Sequence, residues 1–156
     1  GALLRTIDSL PQIVVAAVQG GAVGAGLGIL CACDVVIAAA TCTFSAPEVL
    51  TGAVPAQIMP LLLRRAGWSH GRRMLTTGAT CDAAEAQRIG LVNEITGPEE
   101  SLDDAVARLL SSLAKCDPNA VRGAKNLLGR LKPESAEYFE AAAELYVATR
   151  RDKRAG

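Results

Sequence analysis

The sequence predicts an α/β fold built on a parallel sheet, and three observations carry that prediction. Two β-branched apolar runs, Ile13 to Val18 and Asp34 to Ala39, have the length and composition of buried strands. A glycine-rich helical stretch, Val23 to Ala32, lies between them with a short loop at each step. A strand, crossover, strand unit of this kind joins parallel neighbours.

The elements follow in order. Ala2 to Leu10 reads as the end of a helix that leads into the first strand. After Phe44 the pattern turns helical, over Pro55 to Arg65, Ser69 to Thr77 and Ala83 to Ile89. Gly90 then serves as a left-handed cap, and Leu91 to Ile95 is a last short strand. Pro98 to Cys116, Asn119 to Leu131 and Glu134 to Arg154 read as three surface helices. Pro98 suits a first helical turn, and Asp117-Pro118 and Lys132-Pro133 separate the three.

Charge divides the chain. Only Arg5, Asp8, Asp34 and Glu48 are charged before Arg64, and the other 28 of the 32 charged residues follow from there. The first part therefore reads as interior and the second as a solvated helical layer. The 25 uncharged residues between Asp8 and Asp34 are long enough for a membrane helix, and Gly20, Gly24 and Gly28 have the spacing of packed helices in lipid. Pro11, Gln19, Gly20 and Gly21 would break such a helix, so a strand, a glycine turn and a short helix explain the run better.

The 156 residues suit one domain or part of one, and 16 basic and 16 acidic side chains cancel. A neutral chain offers no field that would collect nucleic acid or an anionic membrane surface, so binding must come from a shaped site. Five cysteines, an odd number with no secretory leader before them, predict a reducing compartment and a cytoplasmic location. Cys31 and Cys33 are too close for a zinc knuckle and no second pair with His follows, so no metal site is expected.

Gly20, Gly21, Gly24, Gly26 and Gly28 leave backbone N–H groups uncovered where a helix follows a strand. Such a terminus attracts negative charge, either a pyrophosphate or the oxyanion that develops on a carbonyl in acyl chemistry. The dinucleotide pattern needs a third glycine where Ile29 stands, which disfavours a nucleotide-binding oxidoreductase. Close packing of helix on strand would by itself also explain these glycines. Glu48 adds a second signal. It is the only acidic residue between Asp34 and Asp82 and stands in the apolar run Phe44 to Leu50, where a carboxylate is costly unless used or paired. A helix N-cap or an ion pair just after Pro47 is the structural alternative for Glu48. Asp34, at the start of a strand, suits the ordering of a turn rather than catalysis.

Taken in order, these pieces resemble the enoyl-CoA hydratase/isomerase (crotonase) family. The resemblance rests on Val18 to Gly26, on Cys33-Asp34-Val35-Val36-Ile37-Ala38, and on Phe44-Ser45-Ala46-Pro47-Glu48 with Gly52 and Pro55. Leu75 to Gly78, Ala83 to Ala86 and Gly90 to Val92 continue it over nearly the whole chain. It corresponds to the later part of a family member, so the earlier strands of the fold, with the loop that gives the first oxyanion-hole N–H, are expected before Gly1.

The resemblance implies a crotonase-like (ClpP/crotonase) fold of stacked βαβ units, here residues 1–97, with a C-terminal helical trimerisation region over 98–156. It implies a homo-trimer or hexamer and an acyl-CoA thioester substrate, with no separate cofactor because coenzyme A belongs to the substrate. The second oxyanion donor falls on the N–H of Ala25, and the acid/base carboxylate of the P-E motif on Glu48. Gly24, Gly26, Gly28, Pro47, Pro55 and Ala56 fall on substrate-binding positions.

Hydratases commonly carry a further glutamate three residues beyond the oxyanion donor, where this chain has Gly28. The double-bond isomerases of the family run on the P-E glutamate alone. The continuation Pro55-Ala56-Gln57-Ile58-Met59-Pro60 is similar to the glutaconyl-CoA hydratase-like branch, which acts on branched acyl groups with a second carboxylate. Arg64 and Arg65 are candidates to meet that carboxylate, with a solvent-facing helix end as the alternative. The expected function is thus an enoyl-CoA hydratase-type lyase, with isomerisation second and a non-catalytic assembly subunit as the reading from another class.

Overall fold

A computed structural model describes residues 1–97 and 99–131, together with residues 138, 140–145 and 147. Helix α1, Ala2–Ser9, leads through a short loop into strand β1, Val15–Val18. Strand β2, Gly21–Val23, follows at once, then helix α2, Ala25–Ala32, and strand β3, Val35–Ala38. Strand β4, Thr43–Ser45, runs into a 3₁₀ helix, Pro47–Thr51. Helix α3, Met59–Thr77, strand β5, Thr80–Asp82, helix α4, Ala83–Arg88, and strand β6, Glu94–Ile95, complete the core. Helices α5, Leu102–Leu113, and α6, Pro118–Arg130, lie outside it.

The strands form two three-stranded sheets, β1-β3-β6 and β2-β4-β5, and the chain passes back and forth between them. β1 and β3 are parallel, with Val15 opposite Val35 and Val18 opposite Ala38, as the strand, crossover, strand reading predicts. β3 continues parallel to β6, with Ile37 opposite Glu94. In the second sheet β2 is parallel to β4, and β4 antiparallel to β5.

Several elements differ from the sequence reading. The stretch expected as one helix from Val23 begins at Ala25, because Gly21–Val23 is a strand. Gly21 makes this pairing possible: its φ is 137°, and a Cβ there would lie 2.3 Å from the Thr43 carbonyl oxygen. β4 and β5 replace what reads as helix or loop. β1 is shorter than predicted and only half-buried, since it is an outer strand of its sheet. The two helices expected over Pro55 to Arg65 and Ser69 to Thr77 are one element broken at Gly67. α5 starts at Leu102 under a Ser101 cap, four residues later than expected; Pro98 lies outside the described residues. Asp117 caps α6 through the N–H groups of Asn119 and Ala120, both at 2.9 Å. Of the helix expected over Glu134 to Arg154, positions 138, 140–145 and 147 are helical, and the rest, with Lys132-Pro133, lies outside the described residues.

The core sits between the sheets and around α2, where Phe44, Leu27, Ile37, Leu61, Leu62, Met74 and Leu91 are fully buried. α2 is apolar all round and buries Leu27, Gly28, Leu30, Cys31 and Ala32, while Ala25 and Ile29 remain exposed. Polar side chains lock the edges of this core. Arg65 donates from Nε to the Leu91 carbonyl, from Nη1 to the Cys33 carbonyl and from Nη2 to Asn93 Oδ1, at 2.7, 2.7 and 2.6 Å. Asn93 brackets Val36: its N–H donates to the Val36 carbonyl at 2.9 Å and its Oδ1 accepts from the Val36 N–H at 2.8 Å. Asp34 accepts from the Val14 N–H at 2.7 Å and pairs with Lys125, which also donates to the Gln12 carbonyl. The turn-ordering role expected of Asp34 is therefore what it performs, with the added task of fastening α6.

Candidate active site

The site is built where β2 hands over to α2. Gly24 makes that corner with φ 55° and ψ −116°, a backbone conformation reserved for glycine, and its N–H donates to the Ser45 carbonyl at 3.0 Å. The corner leaves Ala25 exposed as the first residue of α2. Its N–H has no acceptor within the helix, so it faces outward with the positive end of the helix dipole. No non-glycine residue has a positive φ among those described, so the methyl of Ala25 sits on an ordinary helical backbone.

Glu48 reaches this corner from the 3₁₀ helix, which follows β4. A Cβ on Gly24 would lie 2.8 Å from Glu48 Oε1, so the carboxylate rests against the start of α2. Its Oε2 is buried and has no hydrogen-bond partner. The structural alternatives for Glu48 are not what is found. Its side chain caps no helix, the capping position is Ala46, and no ion pair reaches the carboxylate among the described residues. A half-buried carboxylate with an idle oxygen, next to outward N–H groups, can hold or move a proton beside an oxyanion.

The other predicted positions divide. Gly24, Ala25, Pro47 and Glu48 come together at the corner. Gly26 is half-exposed one residue into α2, whereas Pro55 and Ala56 are buried in the loop that follows the 3₁₀ helix. Gly28 is enclosed: a Cβ there would meet Ile58 Cγ2 at 2.5 Å and Leu4 Cδ1 at 3.3 Å. The place of a side chain at 28 is thus taken by two apolar neighbours. Arg64 and Arg65 line a separate cleft of about 410 Å³ with Asp8, Asp34 and Lys125, a cleft that Glu48 does not line. Arg64 is exposed near the break at Gly67, where it pairs with Asp8 at 2.6 Å, whereas Arg65 is half-buried and bonded as described, so only Arg65 departs from a solvent-facing helix end.

Two contributors escape sequence reasoning. Ile58 fills the hollow over Gly28, and the Tyr138 hydroxyl donates to the Ala56 carbonyl at 3.1 Å. The first carries a faint signal, because Gly28 leaves a gap in the side chains along α2. No metal-binding cluster occurs among the described residues, and none of their helices is long and apolar enough to cross a membrane.

Strands that alternate between two sheets, with a helix start facing a lone carboxylate, define a crotonase-fold protein. The sequence profile described as enoyl-CoA hydratase/isomerase matches residues 1–155, and the chain belongs to that family. It is 36% identical over 126 residues to a putative enoyl-CoA hydratase of Thermus thermophilus, covering 81% of this chain and 49% of that protein. It is also 36% identical over 127 residues to a Mycobacterium tuberculosis protein named as a methyl-dioxo-hexahydroindene-carboxyl-CoA hydrolase, covering 81% of this chain and 50% of that one. Among solved structures, a putative enoyl-CoA hydratase from Streptomyces avermitilis superposes with a TM-score of 0.85 at 30% identity, covering 95% of this chain and 54% of that one. AtuE of Pseudomonas aeruginosa gives a TM-score of 0.79 at 36% identity, covering 94% and 57%. The chain spans about half the length of the curated relatives it matches.

Proposed function

We propose that this chain carries the acid/base half of an active site for an acyl-CoA thioester, working as an enoyl-CoA hydratase-type lyase with Glu48 as its single catalytic carboxylate. The observation that carries the reading is the buried, unpartnered Glu48 oxygen beside the start of α2. The Ala25 N–H would polarise the thioester carbonyl, together with a second donor from outside the described residues. One such preorganised donor contributes about 3 to 4 kcal/mol to the transition state.

In hydration, Glu48 takes a proton from the water whose oxygen bonds to C3 and returns a proton to C2, so that water adds across the double bond. Coenzyme A is part of the substrate and no separate cofactor takes part. The working assembly on this reading is a homo-trimer or hexamer in the cytoplasm. A glutaconyl-like substrate is the less favoured choice, because Arg64 and Arg65 are both engaged away from Glu48. A branched or straight apolar acyl chain suits these residues better.

Isomerisation between 3-enoyl and 2-enoyl thioesters is the second reading, and the filled hollow over Gly28 favours it. Glu48 would then remove a proton from C2 and deliver one to C4, and no water would be consumed. The test is to incubate the full-length protein, with the earlier strands expected before Gly1 in place, with 2-enoyl-CoA and 3-enoyl-CoA thioesters and follow the enoyl absorbance; residues 1–156 alone are expected to be inactive. Loss of absorbance with 2-enoyl substrates is the expected result, and a gain with 3-enoyl substrates alone selects isomerisation. No change with any thioester, alongside tight NAD(P) binding, would replace both by an oxidoreductase.

A further inference from the structure

We propose that Ile58 is a positioning residue for Glu48, and that its seat over Gly28 fixes where the carboxylate stands; this rests on the reading of Glu48 as the acid/base group. Gly24, the N-cap of α2, and Gly28 stand four residues apart, with the Gly28 N–H donating to the Gly24 carbonyl at 3.1 Å. Neither has a side chain, and a single loop supplies the atoms that fill both places: Glu48 Oε1 at Gly24 and Ile58 Cγ2 at Gly28.

Between these two points the loop is tied to itself. The Glu48 carbonyl accepts from the Ala53 N–H at 2.9 Å and from Thr51 Oγ1 at 2.9 Å. The Ile58 N–H donates to the Pro55 carbonyl at 3.1 Å, and the Ile58 carbonyl accepts from the Leu62 N–H at 2.9 Å, joining the loop to α3. Ile58 is 5% exposed, and a β-branched side chain in a close-packed hollow has one way to sit.

Oε2 of the carboxylate has no such tether, since no hydrogen bond holds it. Its place is therefore set by the backbone that carries it. That backbone is fastened on the entering side by the Gly24 to Ser45 hydrogen bond and on the leaving side by Ile58. Leu50 adds a third, weaker contact, lying where a Cβ on Gly78 would come within 2.8 Å of it, but Leu50 is largely exposed.

The test reads the carboxylate directly. In the chain labelled with ¹³C-glutamate, the Glu48 Cδ resonance is assigned by its loss in Glu48→Gln, and melting temperature is measured beside it. Ile58→Ala is expected to move that resonance by more than its linewidth, whereas Ile58→Val leaves it in place. Gly28→Ala, whose methyl collides with Ile58, is expected to move it as well, and the double variant Gly28→Ala with Ile58→Ala to bring it back toward the parent. A resonance that stays put in Ile58→Ala while the melting temperature falls would reduce Ile58 to a packing residue. Shifts in the double variant that equal the sum of the single ones would overturn the proposal too. If Gly28→Ala does not fold, the Ala and Val variants at 58 decide alone. Turnover is not read, so these results stand whether or not Glu48 proves catalytic.

Discussion

Glu48 occupies the room that a side chain on Gly24 would need: its Oε1 lies 2.8 Å from the position of a Cβ there. A glycine corner and a carboxylate that approaches it are thus one device. A methyl at Gly24 would meet the carboxylate and strain a backbone at φ 55°. Gly24→Ala should cost about 1–3 kcal/mol for the strained corner. It should also displace Glu48, so that turnover falls more than stability does. Urea unfolding and turnover on the same preparation check this, and a variant as active and stable as the parent contradicts it.

Glu48→Gln keeps the shape and removes the proton carrier. Turnover on an enoyl-CoA thioester should fall by about 10²- to 10⁴-fold with coenzyme A binding nearly unchanged. Unfolding by urea should show little change, because Oε2 has no hydrogen-bond partner and no ion pair reaches the carboxylate among the described residues. Unaltered turnover would leave Glu48 without a chemical role.

Restoring a second carboxylate by Gly28→Glu should fail. The Cβ alone would come within 2.5 Å of Ile58, so the variant should lose about 1–3 kcal/mol by overpacking and gain no hydration rate. A stable variant with faster hydration would show that Ile58 and Leu4 can yield the space.

The cysteines give a test independent of substrate. Burial pushes the Cys31 thiol up to about 12 and raises Cys33 and Cys42, while Cys81 rises to about 11. Cys116 is exposed. A thiol reagent at pH 8 should modify one cysteine quickly in the native chain and the other four only on unfolding. The sign of the pH effect follows. In the range from about pH 9 to about pH 12 the unfolded chain gives up the Cys31 proton while the folded chain keeps it, so stability falls as pH rises. Urea midpoints across that range should decrease for the parent and less steeply for Cys31→Ser.

How much of this was legible from sequence depends on how local the cause is. The parallel pairing of β1 with β3 follows from two β-branched runs and the short crossover between them, and Glu48 stands out because an acid in an apolar run is costly. The three-residue strands β2, β4 and β5 leave no period to read. β2 pairs with β4 because Gly21 lets the Thr43 carbonyl approach, a contact made across more than twenty residues. Gly28 can be seen as a missing acid, yet only the fold reveals that Ile58, thirty positions on, has taken its room. Arg65 reads as a surface cation from its neighbours, whereas its three hydrogen-bond partners, on Cys33, Leu91 and Asn93, are distant in sequence and are brought to it only by the fold.

The bracket that Asn93 places around Val36 gives the first sheet a direction of growth. β6 has only two residues, and beside it the ladder is continued by an amide side chain held in place by Arg65 rather than by more backbone. So short an edge offers little for another strand to align on. β1, four residues long at the opposite end, is where a further strand can be added. Among the described residues β1 is the longer of the two outer strands, so a strand that lengthens this sheet is expected to join beside Val15 to Val18.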